Sequence, residues 1–308
     1  MSLWPGARIS DLSGKAVIVT GANSGIGFYA ALEFARAGAD VVLACRSAER
    51  GAAALARIET QAPGRARLEL LDLEDFASIH DFAARVKARG GQIDILLNNA
   101  GVMAPPARRT TAQGGELQFG VNFLGHFLLT ALLLETVMNA KAPRVIQVSS
   151  VAHRQGVMAW DDLQSERKYH AWNAYRQSKL AMLIFAQELG RRAAKGGWGV
   201  LSVAAHPGIA ATELVANGPG RGSLIALLQK IGAPLIQQPG DAGAWPLILA
   251  AIDPSARQGG YYGPQGWLEC RGRPGPGKIE AKALDEGAGQ RLWEIAEQLT
   301  GVALKPSP

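Results

Sequence analysis

The chain has 308 residues, 48% of them hydrophobic, enough to bury one large core without a metal or a disulfide to hold it. Its 32 basic and 26 acidic residues leave a formal charge of +6 spread along the chain, not gathered into a tail or stripe, which argues against dedicated nucleic-acid binding. The only cysteines, Cys45 and Cys270, lie far apart without metal-ligand spacing, and the five histidines form no ligand pair, so no disulfide and no metal is expected.

Residues 1–15 include Pro5, Gly6, Arg8, Asp11 and Lys15 and no apolar run able to act as a signal peptide or membrane anchor. The longest apolar stretches elsewhere, 127–134 and 247–252, fall short of the about 20 residues of a membrane span, so a soluble cytoplasmic location is expected. Short apolar runs at 16–20, 41–44, 66–71, 93–97, 145–148 and 200–205 read as strands, and helices begin near Ile26, Ala48, Asp75, Gly115 and Trp172. The runs are apolar throughout rather than alternating, as in strands covered on both faces, and the β-α-β-α order implies an α/β fold, a doubly wound parallel sheet in a single domain. Ser47 reads as the N-cap of the second helix and Gly38 as the C-cap of the first.

The first strand runs into Thr20-Gly21-Ala22-Asn23-Ser24-Gly25-Ile26-Gly27, and a helix follows. Glycines spaced this way allow a tight turn, bring backbone N–H groups against a pyrophosphate and let the helix pack close to the strand, with its positive end facing the phosphates. The second strand ends Leu43-Ala44-Cys45-Arg46. A carboxylate there would read a ribose 2′-hydroxyl; none is present, and Arg46 follows with a guanidinium suited to a 2′-phosphate, which favours NADP(H). Arg50, one turn further on, is either a second contact or an exposed helix residue.

After 205 the rhythm changes. Prolines and glycines flank one amphipathic stretch, Leu224, Ile225, Leu227, Leu228 and Ile231, so 206–240 reads as a substrate flap between a core of about 12–205 and the last helices and strand in 241–308. Residues 265–270 are the last strand candidate, and 281–300 the terminal helix. The segment 117–134 is apolar around most of its circumference and needs cover on more than one side, from which a homodimer or homotetramer is expected.

The glycine motif, Asn98-Asn99-Ala100-Gly101 after the fourth strand, Ser149-Ser150 after the fifth, Tyr175-Arg176-Gln177-Ser178-Lys179 and Pro207-Gly208 after the sixth stand in the order of the short-chain dehydrogenase/reductase family. The chain resembles that family over essentially its whole length. Through Ala44-Cys45-Arg46, Asn122-Phe123-Leu124-Gly125-His126-Phe127 and 175–180 it is similar to the retinol-dehydrogenase-like branch, and the N-terminal membrane anchor that some members of that branch carry is not expected here. The resemblance implies a Rossmann-type sheet holding NADP(H). It places Gly21, Asn23, Ser24, Gly25, Ile26 and Gly27 on the cofactor, Asp72 and Leu73 at the adenine, Asn99, Ala100 and Gly101 on the adenosine side, and Pro207, Gly208 and Thr212 near the nicotinamide. For Asp72 a turn or helix-capping role is the alternative, and Pro207-Gly208 also suit a plain turn.

A carbonyl oxygen that gains a hydride at its carbon must also gain a proton, from an acid tuned toward the working pH. Lys179 lies one helical turn after Tyr175, so its ammonium is expected to lower the tyrosine pKa, and the resemblance adds that it holds the nicotinamide ribose. Ser150 would donate to the substrate oxygen. Asn122, poor inside a helix, is implied to distort that helix and to position a water linked to Lys179. Between Ser150 and Tyr175 the residues Val157, Met158, Trp160, Tyr169 and Trp172 suggest an apolar wall for a lipophilic ketone or aldehyde, or else they merely pack that segment onto the domain. The expected activity is carbonyl reduction or alcohol oxidation on a small molecule. A non-catalytic NADP(H)-binding regulator, or an enzyme of the same scaffold acting on a sugar or acyl substrate, remains the alternative.

Overall fold

A strand that is apolar on both sides can be buried only between two layers, and the computed structural model, which describes residues 9–209 and 238–306, is built that way. In chain order its elements are β1 (Ala16–Thr20), α1 (Gly25–Arg36), β2 (Asp40–Cys45), α2 (Ala48–Glu59), β3 (Ala66–Leu70), α3 (Phe76–Ala88) and β4 (Ile95–Asn98). There follow α4 (Leu117–Met138), β5 (Arg144–Val148), α5 (Ala171–Gly196), β6 (Leu201–Ala205) and α6 (Gly240–Ile252). The last are β7 (Tyr261–Pro264), β8 (Pro274–Pro276), α7 (Ala281–Leu284) and α8 (Glu286–Thr300).

The strands form one sheet in the order β3-β2-β1-β4-β5-β6-β7-β8, parallel except for β8. Val17 of β1 faces Val41 on one side and Ile95 on the other, so the strand order reverses between β1 and β4 and opens a crevice at the carboxyl ends of the strands. Alternate side chains of β1 serve opposite layers. Ile18 joins the core beneath α3, α4, α5 and α8, whereas Val17 and Val19 join the core beneath α1, α2 and α6. The local signals hold as read: the Ser47 side chain accepts from the Arg50 N–H, and Gly38, with φ +93°, follows α1.

Three expectations change. Residues 265–270 are not a strand; Leu268 and Glu269 take left-handed backbone angles (φ 51° and 58°) in a 3₁₀ turn. The edge is formed instead by β7 and by the Pro-Gly-Pro strand β8, where missing N–H groups are tolerated. The terminal helix is split at Asp285, whose extended backbone and side chain, accepting from Ala288 N–H, restart it as α8.

The third change concerns α4, a continuous helix of 22 residues, long and apolar enough to cross a membrane, although 89% of that window is buried inside the protein. A soluble cytoplasmic location was expected because every apolar run looked too short, and this helix overturns that premise. The uncharged polar residues Asn122, His126 and Thr130 had interrupted the apolar run without interrupting the helix. Phe127 stacks edge-on or tilted against Phe185 of α5 and Trp293 of α8, each with centroids 5.3 Å apart, so part of the circumference of α4 is covered from within the same chain. Most of the expected flap, including Thr212, Leu214, Val215, Leu224, Leu227 and Leu228, lies outside the described residues.

Candidate active site

The glycine cradle follows from backbone space. Gly21 and Gly25 have φ +67° and +57°, and a Cβ on Gly27 would stand 2.4 Å from Asn99 Nδ2 and 2.6 Å from the Gly21 carbonyl. Ser24 at the N-cap of α1 makes no side-chain cap bond, and no acidic residue occupies the first turn, so the amides at this positive end remain open to an anion. This cradle fits the phosphates of a dinucleotide. It floors a cleft of about 570 Å³ that Gly21, Asn23, Ser24, Gly25, Ile26 and Gly27 line at one end. Arg46, Asp72, Leu73, Asn99, Ala100 and Gly101 continue the wall, and Ser150, Tyr175, Lys179, Pro207 and Gly208 complete it.

At the ribose end, Arg46 is ion-paired with Glu74, which also lines the cleft and carries no motif signal in the sequence. Cys45 is buried, and its thiol, pushed up to about 11 by burial, accepts from the N–H groups of Ala22 and Asn23. The cysteine therefore steadies the cradle as well as leaving out an acid. Asp72 serves its turn, with Oδ1 accepting from Glu74 N–H at 2.9 Å, while still facing the cleft.

At the other end the two serines divide. Both border the cleft, but Ser149 is buried and donates to the Lys179 carbonyl at 2.7 Å, whereas Ser150 hydrogen-bonds with Tyr175. Lys179 Nζ donates to the Val148 carbonyl at 3.0 Å and stands 5.9 Å from the Tyr175 ring centroid. Burial governs both groups: it pushes Tyr175 up to about 12, only partly opposed by the Ser150 bond, and Lys179 down to about 8. The tyrosine is thus raised where a lowering by the lysine was expected, because burial sets the direction and the Ser150 bond opposes it only in part.

Asn122 does not line the cleft; it stands behind Gly101, fully buried, within a π-helical turn over Gly120–Leu124. Its Oδ1 accepts from Val102 N–H at 2.8 Å, while Nδ2 donates to the Val102 carbonyl at 3.0 Å and to Ser178 Oγ at 2.8 Å. Ser178 in turn donates to the Tyr175 carbonyl at 2.8 Å. The helix distortion expected of this residue is present, and its amide ties the α4 turn to α5. Nothing in the spacing of Ser178 marked it as that link.

The apolar wall differs from expectation. Of the five apolar residues expected to form that wall, only Trp172 lines the cleft, edge-on to Tyr175 at 5.9 Å. Val157 is exposed, whereas Met158 and Trp160 pack against the core and Tyr169 donates to the Pro105 carbonyl at 2.7 Å, so these last three hold the segment down. The apolar lining comes instead from Met103, Pro105, Val151 and Ile209, residues of loops whose approach is not written in local sequence. Among the described residues no group of acidic, histidine or cysteine side chains could hold a metal.

A short chain dehydrogenase family model matches residues 15–219. Retinol dehydrogenase 13 of Homo sapiens is 41% identical over 297 residues, covering 95% of this chain and 86% of that protein. Retinol dehydrogenase 12 of Mus musculus is 37% identical over 293 residues, covering 95% and 88%. Among solved structures, an uncharacterized protein from Mycobacterium paratuberculosis superposes with a TM-score of 0.80 at 34% identity, covering 98% of this chain and 99% of that one. A short chain dehydrogenase from Shigella flexneri, complexed with NADP, shares the fold at a TM-score of 0.64 and 23% identity, covering 82% of this chain and 97% of its own.

Proposed function

The chain belongs to the short-chain dehydrogenase/reductase family and is an oxidoreductase, and on that footing we propose that it uses NADP(H) to reduce a lipophilic ketone or aldehyde to an alcohol, or runs the reverse. The observation that carries this reading is the hydrogen-bonded Ser150 and Tyr175 pair set in one cleft with the glycine cradle and beside Trp172. A bound nicotinamide would supply or accept the hydride. The phenol, at about 12, stays protonated at neutral pH and holds its proton ready for a substrate oxygen, and the Ser150 hydroxyl fixes that oxygen beside it. Lys179 and Asn122 position these groups from behind. The apolar character of Met103, Pro105, Val151, Trp172 and Ile209 supports a lipophilic substrate, as do relatives named for retinol, a lipophilic alcohol.

Two outcomes test the finer claims. NADPH oxidation should be faster with aryl ketones, medium-chain aldehydes and steroid ketones than with sugars or acidic keto-acids. A clear preference for the polar set refutes the lipophilic assignment. For the cofactor, Arg46→Ala should lower kcat/KM for NADPH about 10-fold, the low end for a charge-assisted phosphate contact because the side chain is 54% exposed, and leave NADH little changed. Equal use of both cofactors by the unaltered protein rejects the assignment.

A further inference from the structure

A buried polar constellation behind the cleft centres on His126, with the side chains of Thr20, Asn98, Asn122, His126 and Thr130 fully buried. The Nδ1 of His126 lies 2.9 Å from the backbone carbonyl of Asn122, and Nε2 lies 2.9 Å from Thr20 Oγ1. A carbonyl only accepts, so Nδ1 carries the hydrogen. The Thr20 oxygen already accepts from the N–H groups of Asn99 and Ala100, both at 2.9 Å, so its own hydrogen is directed to Nε2. Only a neutral imidazole protonated on Nδ1 satisfies both contacts. Burial, with Lys179 as the nearby charge, pushes His126 down to about 4 and keeps it neutral at working pH. The backbone of His126 is pinned as well, since its carbonyl accepts from Thr130 Oγ1, which accepts in turn from Asn98 Nδ2.

We propose that His126 is a positioning residue: its imidazole joins the π turn that carries Asn122 to the end of β1 and the Asn99–Ala100 backbone, so that the cofactor cradle and the Tyr175 helix keep one register. The link to Tyr175 runs through the Asn122 side chain and Ser178, and the inference rests on the functional reading of Tyr175 given above. Its two halves are unequal. If Nε2 is lost, the Thr20 hydroxyl has a second acceptor already within 3.4 Å, the Leu97 carbonyl, whereas loss of the Nδ1 hydrogen removes the side-chain donor from the Asn122 carbonyl.

The test compares His126→Leu, His126→Gln and His126→Asn. An asparagine amide reaches the place of Nδ1, and a glutamine amide only that of Nε2. His126→Leu should lower kcat about 10- to 100-fold, as expected for displaced reacting groups, with little change in the KM for NADPH. His126→Asn should restore most of that loss and His126→Gln should not. Two measurements need no turnover: ring ¹⁵N NMR of the unaltered protein should report an Nδ1-protonated neutral imidazole from pH 5 to 8, and amide exchange at Val102 should quicken in His126→Leu more than in His126→Asn. An Nε2-protonated or titrating ring, His126→Leu with unimpaired kcat, or equal exchange and turnover in the leucine and asparagine variants overturns the proposal. Absence of carbonyl turnover in the unaltered protein would instead count against the reductase reading, with the NMR and exchange results still deciding the role of His126.

Discussion

Tyr175→Phe is expected to lower kcat by about 1,000-fold or more, about 4 kcal/mol of barrier, while cofactor affinity and thermal midpoint change little. The phenol lines the cleft, hydrogen-bonds with Ser150 and keeps its proton at neutral pH, and its ring supports the site mainly by its contact with Trp172, which phenylalanine keeps. Ser150 would retain the substrate oxygen but, as an alcohol, is too weak an acid to replace the phenol. Steady-state rates together with cofactor titration by fluorescence read both parts. Retention of most activity would mean that another group delivers the proton.

Lys179→Met is expected to make the protein less active and no less stable. The lysine is 3% exposed and its ammonium is held by the Val148 carbonyl, with no carboxylate partner among the described residues, and burial pulls it from 10.5 to about 8. Such a shift corresponds to about 3 kcal/mol of destabilisation when the group is charged, offset in part by the hydrogen bond that methionine cannot make. The sign follows from linkage. A lysine whose folded pKa is depressed carries its full penalty below about 8 and sheds it as pH rises toward its unfolded value, so the stability advantage of Lys179→Met should be largest at pH 7 and disappear near pH 10. Turnover runs the other way. On the proposed reading the ammonium orients the cofactor and assists the phenol; it is lost above about 8, so carbonyl reduction by the unaltered protein should decline through that pH, and Lys179→Met should be slow, about 100-fold or more, at every pH. Melting curves and rates across pH 6 to 10 check both. A variant that melts earlier at pH 7 and keeps its rate would place Lys179 among structural residues only.

The two forecasts differ in how far the sequence alone could have carried them. Tyr175 and Lys179 stand one turn apart on a helix, and helical spacing is local, so their shared face was legible from the residues. Their protonation was not, because it depends on how much of the rest of the chain closes over them. The same division holds at the cofactor end. Gly21, Gly25 and Gly27 are required by their own backbone angles or by a neighbour's approach, and Arg46 ends a strand whose position follows from its apolar run. Glu74, from the turn after β3, meets Arg46 only because β2 and β3 lie side by side.

What the sequence by itself determined is therefore the α/β order, the strand limits near 16–20, 41–44 and 145–148, the caps Ser47 and Gly38, and the places of the cradle, the serine pair and the Tyr175 helix. Each of these rests on interactions a few residues long or on the apolar run a strand needs to be buried on both faces. Only the tertiary structure decided that α4 is covered by α5 and α8, that 265–270 turns instead of pairing, that Met103, Pro105 and Ile209 rather than Trp160 face the cleft, and that His126 stands between Thr20 and Asn122. Those outcomes are set by which segments meet across the sheet, and the free energy of such meetings, burial against desolvation, belongs to no single stretch of chain.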